Sequence, residues 1–444
     1  MSDRYSSAIR NPIGQFIVKN LGLPNPPELK RWRDGAPLVD GTVLLGGSGL
    51  VADALPGVLK NSGIQTTTVA AQGTRYQGLV FDASGIDSAA GLVALQEFFT
   101  PVMRNLASSG RVIVIGLSPA ATSTTGAAIA QRALEGFVRS VGKEIGANGS
   151  TANLVYVTEQ TTGALVSTLE FLLSPKSAFV DAQVIRLGLT SNTAALPTTD
   201  PAKPLAGKVA LVTGASRGLG AAEARVLARD GATVIGLDIP PLEADLTALM
   251  AEIGGKAVTA DITADDAAEI IAEAVAGGVD IVVHNAGITR DKRLKNMKAE
   301  SWQKVVDVSV GAPQRITDHL LEKGLINEGG RIIGISSIAG IAGNNGQTNY
   351  GAAKAGVIGW VQDLAARVDD KNITVNAIAP GFIETDMVQT IPIGIRTAGR
   401  LLSSLSQGGQ PVDVAEAIAW LSQPGTQAVS GNVVRVCGQA FLGA

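Results

Sequence analysis

Lys208-Val209-Ala210-Leu211-Val212-Thr213-Gly214-Ala215-Ser216-Arg217-Gly218-Leu219-Gly220 decides the fold of this chain. Five residues of an apolar run read as a buried strand, and the helix expected from about Ala221 follows a turn that holds three glycines. Glycine lets the backbone approach a pyrophosphate, and a helix N-terminus offers unpaired N–H groups and a partial positive charge. A lone glycine loop says little, but here the strand and helix that such a loop requires both flank it. Gly214, Ser216, Arg217, Gly218, Leu219 and Gly220 are therefore candidate cofactor contacts.

The next strand, Ala232-Thr233-Val234-Ile235-Gly236-Leu237, ends at Asp238, about twenty residues beyond the loop. A carboxylate there accepts hydrogen bonds from adenosine ribose hydroxyls and repels a 2′-phosphate. Arg217 pulls the other way, since a loop arginine can hold that phosphate. Asp238 outweighs it, and NADH is the expected cofactor in preference to NADPH. Asp261-Ile262 and Asn285-Ala286-Gly287 each follow a short apolar strand, where cofactor contacts cluster in such sheets. The strand Ile373-Thr374-Val375-Asn376-Ala377-Ile378 leads into Ala379-Pro380-Gly381-Phe382-Ile383-Glu384-Thr385 and presents backbone and Thr385 to a nicotinamide amide. Pro380, Gly381, Ile383 and Thr385 complete the cofactor set.

Tyr350 and Lys354 stand four residues apart, on one face of a helix expected from about 346, and Ser337 precedes the tyrosine with twelve residues between. An ammonium one turn from a phenol favours the phenolate, so Lys354 is expected to lower the pKa of Tyr350. A phenol tuned in this way exchanges a proton with a carbonyl oxygen near neutral pH, and Ser337 can hydrogen-bond the same oxygen. A surface tyrosine with an i,i+4 lysine is common; the serine and the upstream loop give the pair its meaning.

A chain of 444 residues exceeds the roughly 250–300 at which single cores stop growing. The sequence repeats itself on either side of a polar, proline-bearing linker at 189–206. Pro101 followed by Gly110-Arg111-Val112-Ile113-Val114-Ile115-Gly116 matches Pro313 followed by Gly330-Arg331-Ile332-Ile333-Gly334. Gln131-Arg132-Ala133-Leu134-Glu135-Gly136-Phe137-Val138 matches Lys354-Ala355-Gly356-Val357-Ile358-Gly359-Trp360-Val361. Phe171-Leu172 with Pro175 and Val184-Ile185-Arg186-Leu187-Gly188 match Trp420-Leu421 with Pro424 and Val433-Val434-Arg435-Val436-Cys437-Gly438.

The expected fold is thus two doubly wound, Rossmann-like parallel-sheet α/β domains. The boundaries are an N-terminal arm (1–29), a degenerate non-catalytic domain (30–188), the linker (189–206) and a catalytic domain (207–444). In this alignment Ala127 falls opposite Tyr350 and Gln131 opposite Lys354. Leu45-Gly46-Gly47-Ser48-Gly49 reads as a close strand-to-helix turn, with a nucleotide or flavin phosphate site as the functional alternative.

Composition narrows the classes of partner. A formal net charge of −3 leaves no electrostatic footprint for nucleic acid or anionic membrane. A single cysteine, Cys437, excludes an internal disulfide and fits a reducing cytoplasm. With His284 and His319 the only histidines, no metal site is expected. No apolar stretch reaches the roughly 18–20 residues that span a bilayer. Ile9, Ile13, Phe16, Ile17 and Leu21 lie at helical spacing and read as a packing arm, or alternatively a membrane-surface helix.

Together these motifs resemble the short-chain dehydrogenase/reductase family over residues 207–438, and within it the β-ketoacyl-ACP reductases in their high-molecular-weight, two-domain form with a flavodoxin-like first domain. The resemblance implies reduction of 3-oxoacyl thioesters on ACP or CoA, with Tyr350 protonating the 3-oxo oxygen, Lys354 holding the nicotinamide ribose and Ser337 orienting the carbonyl. Other carbonyl or alcohol substrates and a non-catalytic dinucleotide sensor are the alternatives. Two positions depart from the family pattern. Ser309 stands where an asparagine usually anchors a proton-relay water. His284 replaces the first asparagine of Asn-Asn-Ala-Gly, as a core substitution or as a pH-sensitive turn.

Met387, Ile391, Ile393, Ile395, Leu401, Leu402 and Leu405 read equally as a lid over an acyl tunnel and as core or interface positions. Arg396 and Arg400 are solvated arginines or contacts for carrier phosphates. Because the first domain would take the place of a neighbouring subunit in a tetramer, a homodimer with its catalytic domains at the centre is expected.

Overall fold

The computed structural model describes residues 26–188, 200–385, 397 and 399–440. The chain divides into two compact units, one of residues 1–188, 381–413 and 436–444, the other of residues 189–380 and 414–435. Residues 381–413 and 436–444, which the sequence assigns to the second domain, thus group with the first.

The first unit carries a six-stranded, all-parallel sheet in the order β2-β1-β3-β4-β5-β6. Its strands are β1 (Thr42–Gly47), β2 (Gln65–Thr67), β3 (Tyr76–Asp82), β4 (Leu106–Leu117), β5 (Thr151–Val157) and β6 (Val184–Arg186). Helices α1 (Leu55–Asn61), α2 (Val93–Val102), α3 (Thr125–Ile145) and α4 (Leu165–Leu173) link them. All seven residues of β5 are buried, as a strand covered on both faces must be.

The second unit is built on a seven-stranded sheet in the order β13-β12-β11-β10-β7-β8-β9. The strands are β7 (Val209–Thr213), β8 (Thr233–Asp238), β9 (Lys256–Thr259), β10 (Val279–His284), β11 (Ile326–Ile335), β12 (Thr374–Pro380) and β13 (Val433–Val436). The helices are α5 (Gly218–Arg229), α6 (Glu243–Ile253), α7 (Ala267–Ala274), α8 (Ala299–Val306), α9 (Ala312–Glu322), α10 (Ile338–Ala342), α11 (Thr348–Arg367) and α12 (Pro411–Ser422), whose residues 411–413 group with the first unit. The strand order reverses between β7 and β10, and the crevice at such a switch point, outside the carboxyl ends of the strands, is where doubly wound sheets bind ligands.

The repeat seen in the sequence extends to single hydrogen bonds. Buried Arg111 donates through Nη1 to the carbonyls of Ser109 and Gly110 and through Nε to Ser174. Buried Arg331 donates in the same way to Gly329, Gly330 and Gln423. Asn153 donates to Val180 and accepts from the Gln183 N–H, as Asn376 does with Val429 and Asn432. Ala182 and Gly431 occupy the matching turn, both at positive φ (56° and 72°). Burial pulls both guanidinium groups down to about 10, and the backbone carbonyls around them replace lost water.

Among the described residues no helix is long and apolar enough to cross a membrane.

Candidate functional site

The glycine loop after β7 adopts the conformation that its composition demands. Gly214 and Gly218 lie at φ +67° and +61°, where side chains are strained. A Cβ on Gly220 would stand 2.1 Å from the Gly214 carbonyl oxygen, so the loop closes only over glycine. A Cβ on Gly218 would meet nothing within 4 Å, leaving open space at the start of α5. The helix begins at Gly218, three residues before the expected Ala221. Leu219 is half-buried there and Arg217 is exposed.

Asp238, at the end of β8, is buried and accepts three hydrogen bonds. Its Oδ2 takes the Ser216 N–H (3.0 Å) and the Ser216 hydroxyl (2.6 Å), and its Oδ1 takes the Ile239 N–H (2.9 Å). The carboxylate that the sequence assigns to the ribose therefore also shapes the loop. Asp261 is exposed and accepts from the N–H and hydroxyl of Thr263, whose hydroxyl bond above all holds it below the usual carboxylate range. Ile262 beside it is buried.

Asn285 staples the loop to the neighbouring strand. Its Nδ2 donates to the carbonyls of Thr213 and Gly214, both at 3.0 Å, while its own N–H and that of Ala286 donate to the Thr213 hydroxyl at 3.1 Å. The side chain is spent on backbone, so its part in a cofactor site is to fix the loop. Gly287 brings the chain close to the lysine, since a Cβ there would lie 3.5 Å from Lys354 Nζ. The open space at Gly218, at the N-terminus of α5, fits a dinucleotide pyrophosphate.

Ser337, Tyr350 and Lys354 come together within the same unit. Ser337 is the N-cap of α10, its hydroxyl accepting from the Ala339 N–H at 3.1 Å. Tyr350 lies on the first turn of α11, half-buried, with the Ser337 side chain near enough to act on its phenol. Lys354, one turn on, is buried with Nζ 5.6 Å from the tyrosine ring centroid and donating to the Ile335 carbonyl at 2.7 Å. Burial pulls its ammonium down to about 8, so it still holds its proton at neutral pH.

The phenol departs from expectation. Burial pushes the pKa of Tyr350 up, the neighbouring Ser337 side chain opposes the rise, and Asp291 adds to it. Lys354 does not bring it below the ordinary tyrosine range, because desolvation of the phenolate outweighs an ammonium already committed to a carbonyl.

Ser309 is buried in a π-helical segment, Asp307–Gly311, between α8 and α9, and its Oγ has no hydrogen-bond partner. Such one-turn widenings are frequent at functional sites. His284 is the core substitution of the two alternatives: Nε2 pairs with the Thr317 hydroxyl at 2.8 Å, the ring packs edge-on to Trp360, and burial pulls it down to about 4. It stays neutral throughout the physiological range.

Pro380 ends β12 in this unit, whereas Gly381, Ile383 and Thr385 group with the first. Within that unit the Gly381 N–H donates to the Val436 carbonyl at 2.9 Å, and a Cβ on Gly381 would lie 2.5 Å from that of Cys437. Ile383 is buried and bridges to Gly409, and Thr385 is half-buried. Arg400 is neither solvated nor open to a carrier phosphate: it is buried and grips the Glu384 carboxylate with Nε and Nη2 (2.5 and 2.9 Å). Leu405 is buried and Leu402 exposed. Met387, Ile391, Ile393, Ile395 and Arg396 lie outside the described residues, as do residues 1–25 of the arm and 189–199 of the linker.

The corresponding features of the first repeat are closed by its own side chains. Asp82 Oδ2 accepts the Val51 N–H, and Ser84 accepts that of Leu50, so acceptors from the protein satisfy donors that follow the Gly46-Gly47-Ser48-Gly49 turn. Gln131, opposite Lys354, accepts from the Leu117 N–H and donates to the Ala83 and Ile86 carbonyls, all at 2.8 Å.

Three supporting residues escaped the sequence. Buried Asn349 accepts the Tyr350 N–H at 2.8 Å and donates to the Arg290 carbonyl, fixing the turn before the tyrosine. The Ser336 hydroxyl donates to the Lys354 carbonyl at 2.7 Å. A Cβ on Gly340 would come 2.6 Å from the carbonyl carbon of Lys354, so only glycine lets α10 lie this close to α11. Asn349 adjoins Tyr350 in the chain, but its bonds depend on a segment 59 residues away.

A family model described as enoyl-(acyl carrier protein) reductase matches residues 214–438, so the first repeat lies outside it. The 3-oxoacyl-[acyl-carrier-protein] reductase FabG of Vibrio cholerae is 40% identical over 241 residues, 54% of this chain and 99% of that protein. The protein of the same name from Escherichia coli is 38% identical over 241 residues, 53% of this chain and 98% of its own length. That of Pseudomonas aeruginosa is 42% identical over 246 residues, with 54% and 99% covered. By that match over half its length, and by relatives covered almost end to end, the chain belongs to the short-chain dehydrogenase/reductase family.

Proposed function

We propose that the protein reduces 3-oxoacyl thioesters, carried on ACP or CoA, to 3-hydroxyacyl thioesters with NADH. The observation that carries this reading is the grouping of the Tyr350 phenol with the Ser337 side chain and the buried Lys354 ammonium. Two hydroxyl groups held together offer two hydrogen bonds to one carbonyl oxygen, the geometry that a developing alkoxide requires. A phenol pushed above its ordinary pKa is protonated at neutral pH, the state needed of a proton donor in the reducing direction. The relatives bearing the name 3-oxoacyl-[acyl-carrier-protein] reductase support the substrate class.

The cofactor, held at the glycine cradle by the start of α5, would supply a hydride to the carbonyl carbon. The side chains do the rest. Ser337 orients the oxygen, Tyr350 gives it a proton, and Lys354 stabilises the phenolate left behind and replaces its proton. One N–H of the ammonium is held by the Ile335 carbonyl, which leaves two for the phenolate and a ribose hydroxyl. Asp238 favours NADH, because a 2′-phosphate beside its carboxylate costs on the order of 1–4 kcal/mol at effective dielectrics of 80 to 20. Ser309 would take the place of an asparagine in the proton path. The first unit serves without chemistry of its own, in a homodimer acting in the cytoplasm on lipid metabolism.

The test is a substrate panel with purified full-length protein. Acetoacetyl-CoA, an acetoacetyl carrier protein, crotonyl-CoA and simple ketones are offered with NADH and with NADPH. The reading requires oxidation of NADH by the acetoacetyl thioesters well above the other compounds. Preference for crotonyl-CoA would instead make the protein an enoyl reductase, as the family model's description reads.

A further inference from the structure

Asp291 lies on the exposed segment that follows β10, and the chain there runs beside the turn leading into Tyr350. Lys292 and Gln347 form an isolated parallel bridge, with the Lys292 N–H donating to the Gly346 carbonyl at 2.8 Å. Gln347 Nε2 donates to Asp291 Oδ2 at 2.9 Å, and Gln347 Oε1 accepts from Asn344 Nδ2 at 2.8 Å. The Gln347 carbonyl in turn accepts the Gly351 N–H at 2.7 Å, so this residue starts the helix that bears the tyrosine. Two positions further, Asn349 ties the Arg290 carbonyl to the Tyr350 N–H. The segment 290–292 thus grips the turn at three successive points immediately before the phenol.

We infer that Asp291 is a positioning residue for the proton donor: through its latch to Gln347 it holds the turn that aims Tyr350. This rests on the carbonyl-reduction reading of the site. The groups that act on the phenol are Lys354 from its own helix, Ser337 from α10 as a neutral partner, and Asp291 from the facing segment, flanked by exposed Arg290 and Lys292. Lys354 and Asp291 pull in opposite directions. A negative charge disfavours the phenolate, so its removal lowers the pH at which the proton is lost.

Two variants separate charge from latch. Asp291→Asn removes the charge and keeps an amide oxygen for Gln347, whereas Gln347→Leu removes the latch and keeps the charge. The first readout needs neither cofactor nor substrate: an ultraviolet difference titration of the phenol, referenced to Tyr350→Phe to remove the other tyrosines. The second is the pH profile of kcat/KM for acetoacetyl-CoA reduction.

Asp291→Asn is expected to move the Tyr350 titration and the basic limb of the profile to lower pH together, by on the order of half a unit, as expected for the loss of one nearby solvent-screened charge. Gln347→Leu is expected to lower kcat with a smaller shift of the limb. An Asp291→Asn titration that coincides with wild type, or moves to higher pH, overturns the inference. If the titration shifts as expected but the wild type fails to reduce acetoacetyl-CoA, the positioning role stands and the substrate reading falls.

Discussion

Glu223 sits on α5, six residues into the helix that opens at the glycine loop, and its position is costly. The side chain is fully buried, neither carboxyl oxygen has a hydrogen-bond partner, and burial pushes it from an ordinary 4.5 up to about 8. Below pH 4.5 folded and unfolded chains both hold the proton and no penalty arises. Between 4.5 and about 8 the unfolded chain ionises while the folded one does not, so stability falls as pH rises. Each unit is worth about 1.4 kcal/mol, which makes the loss about 3 kcal/mol by pH 7 and about 5 kcal/mol once both states are ionised.

Glu223→Leu removes the titration and the unsatisfied oxygens at similar volume, and is expected to stabilise the second unit. The assay is urea unfolding followed by tryptophan fluorescence, since Trp302, Trp360 and Trp420 all lie in that unit and only Trp32 lies in the other. The difference between variant and wild type should widen by about 1.4 kcal/mol per pH unit from about pH 5.5 to 7.5. Two parallel stability curves, or a variant less stable than wild type at the upper end, would refute this reasoning.

Asp238→Asn removes the charge that opposes a 2′-phosphate while keeping one acceptor for Ser216, so the ratio of NADPH to NADH efficiency should rise roughly ten- to a thousandfold; an unchanged ratio would put discrimination elsewhere. Gly220→Ala places a methyl group 2.1 Å from the Gly214 carbonyl oxygen and 2.6 Å from Asn285 Nδ2. It should abolish NADH binding by fluorescence titration, and binding at wild-type affinity would show that the loop yields at little cost. Arg31 grips buried Asp413 with Nε and Nη2 (2.8 and 2.9 Å) inside the first unit. Arg31→Ala leaves that carboxylate the Gln410 N–H and should destabilise the unit by about 1–3 kcal/mol, read from the adjacent Trp32.

Local rules made much of this architecture legible. The strand–loop–helix at 208–220 needs only an apolar run, glycines and a helix start. The spacing of Tyr350 and Lys354 follows from helical periodicity, and the repeat extended to buried arginines and asparagines that make the same bonds twice. What stayed hidden depends on distance in the chain and on desolvation. Nothing near Tyr350 announces that burial outweighs Lys354, nor does Arg400 announce its pairing with Glu384. Glu223, flanked by Ala222 and Ala224 and followed by Arg225, reads as an ordinary helical glutamate until its face of α5 is known to be buried. The grouping of residues 381–413 with the first unit likewise leaves no mark in composition.

The central claim is that Tyr350 delivers the proton to a 3-oxoacyl thioester reduced by NADH. The most direct measurement is the loss of nicotinamide absorbance with acetoacetyl-CoA for wild type and Tyr350→Phe, alongside NADH binding by each. The account predicts turnover by wild type, a loss of at least about a hundredfold in the variant, as expected of a general acid, and equal NADH binding. A Tyr350→Phe protein that binds NADH and turns over at the wild-type rate would contradict it.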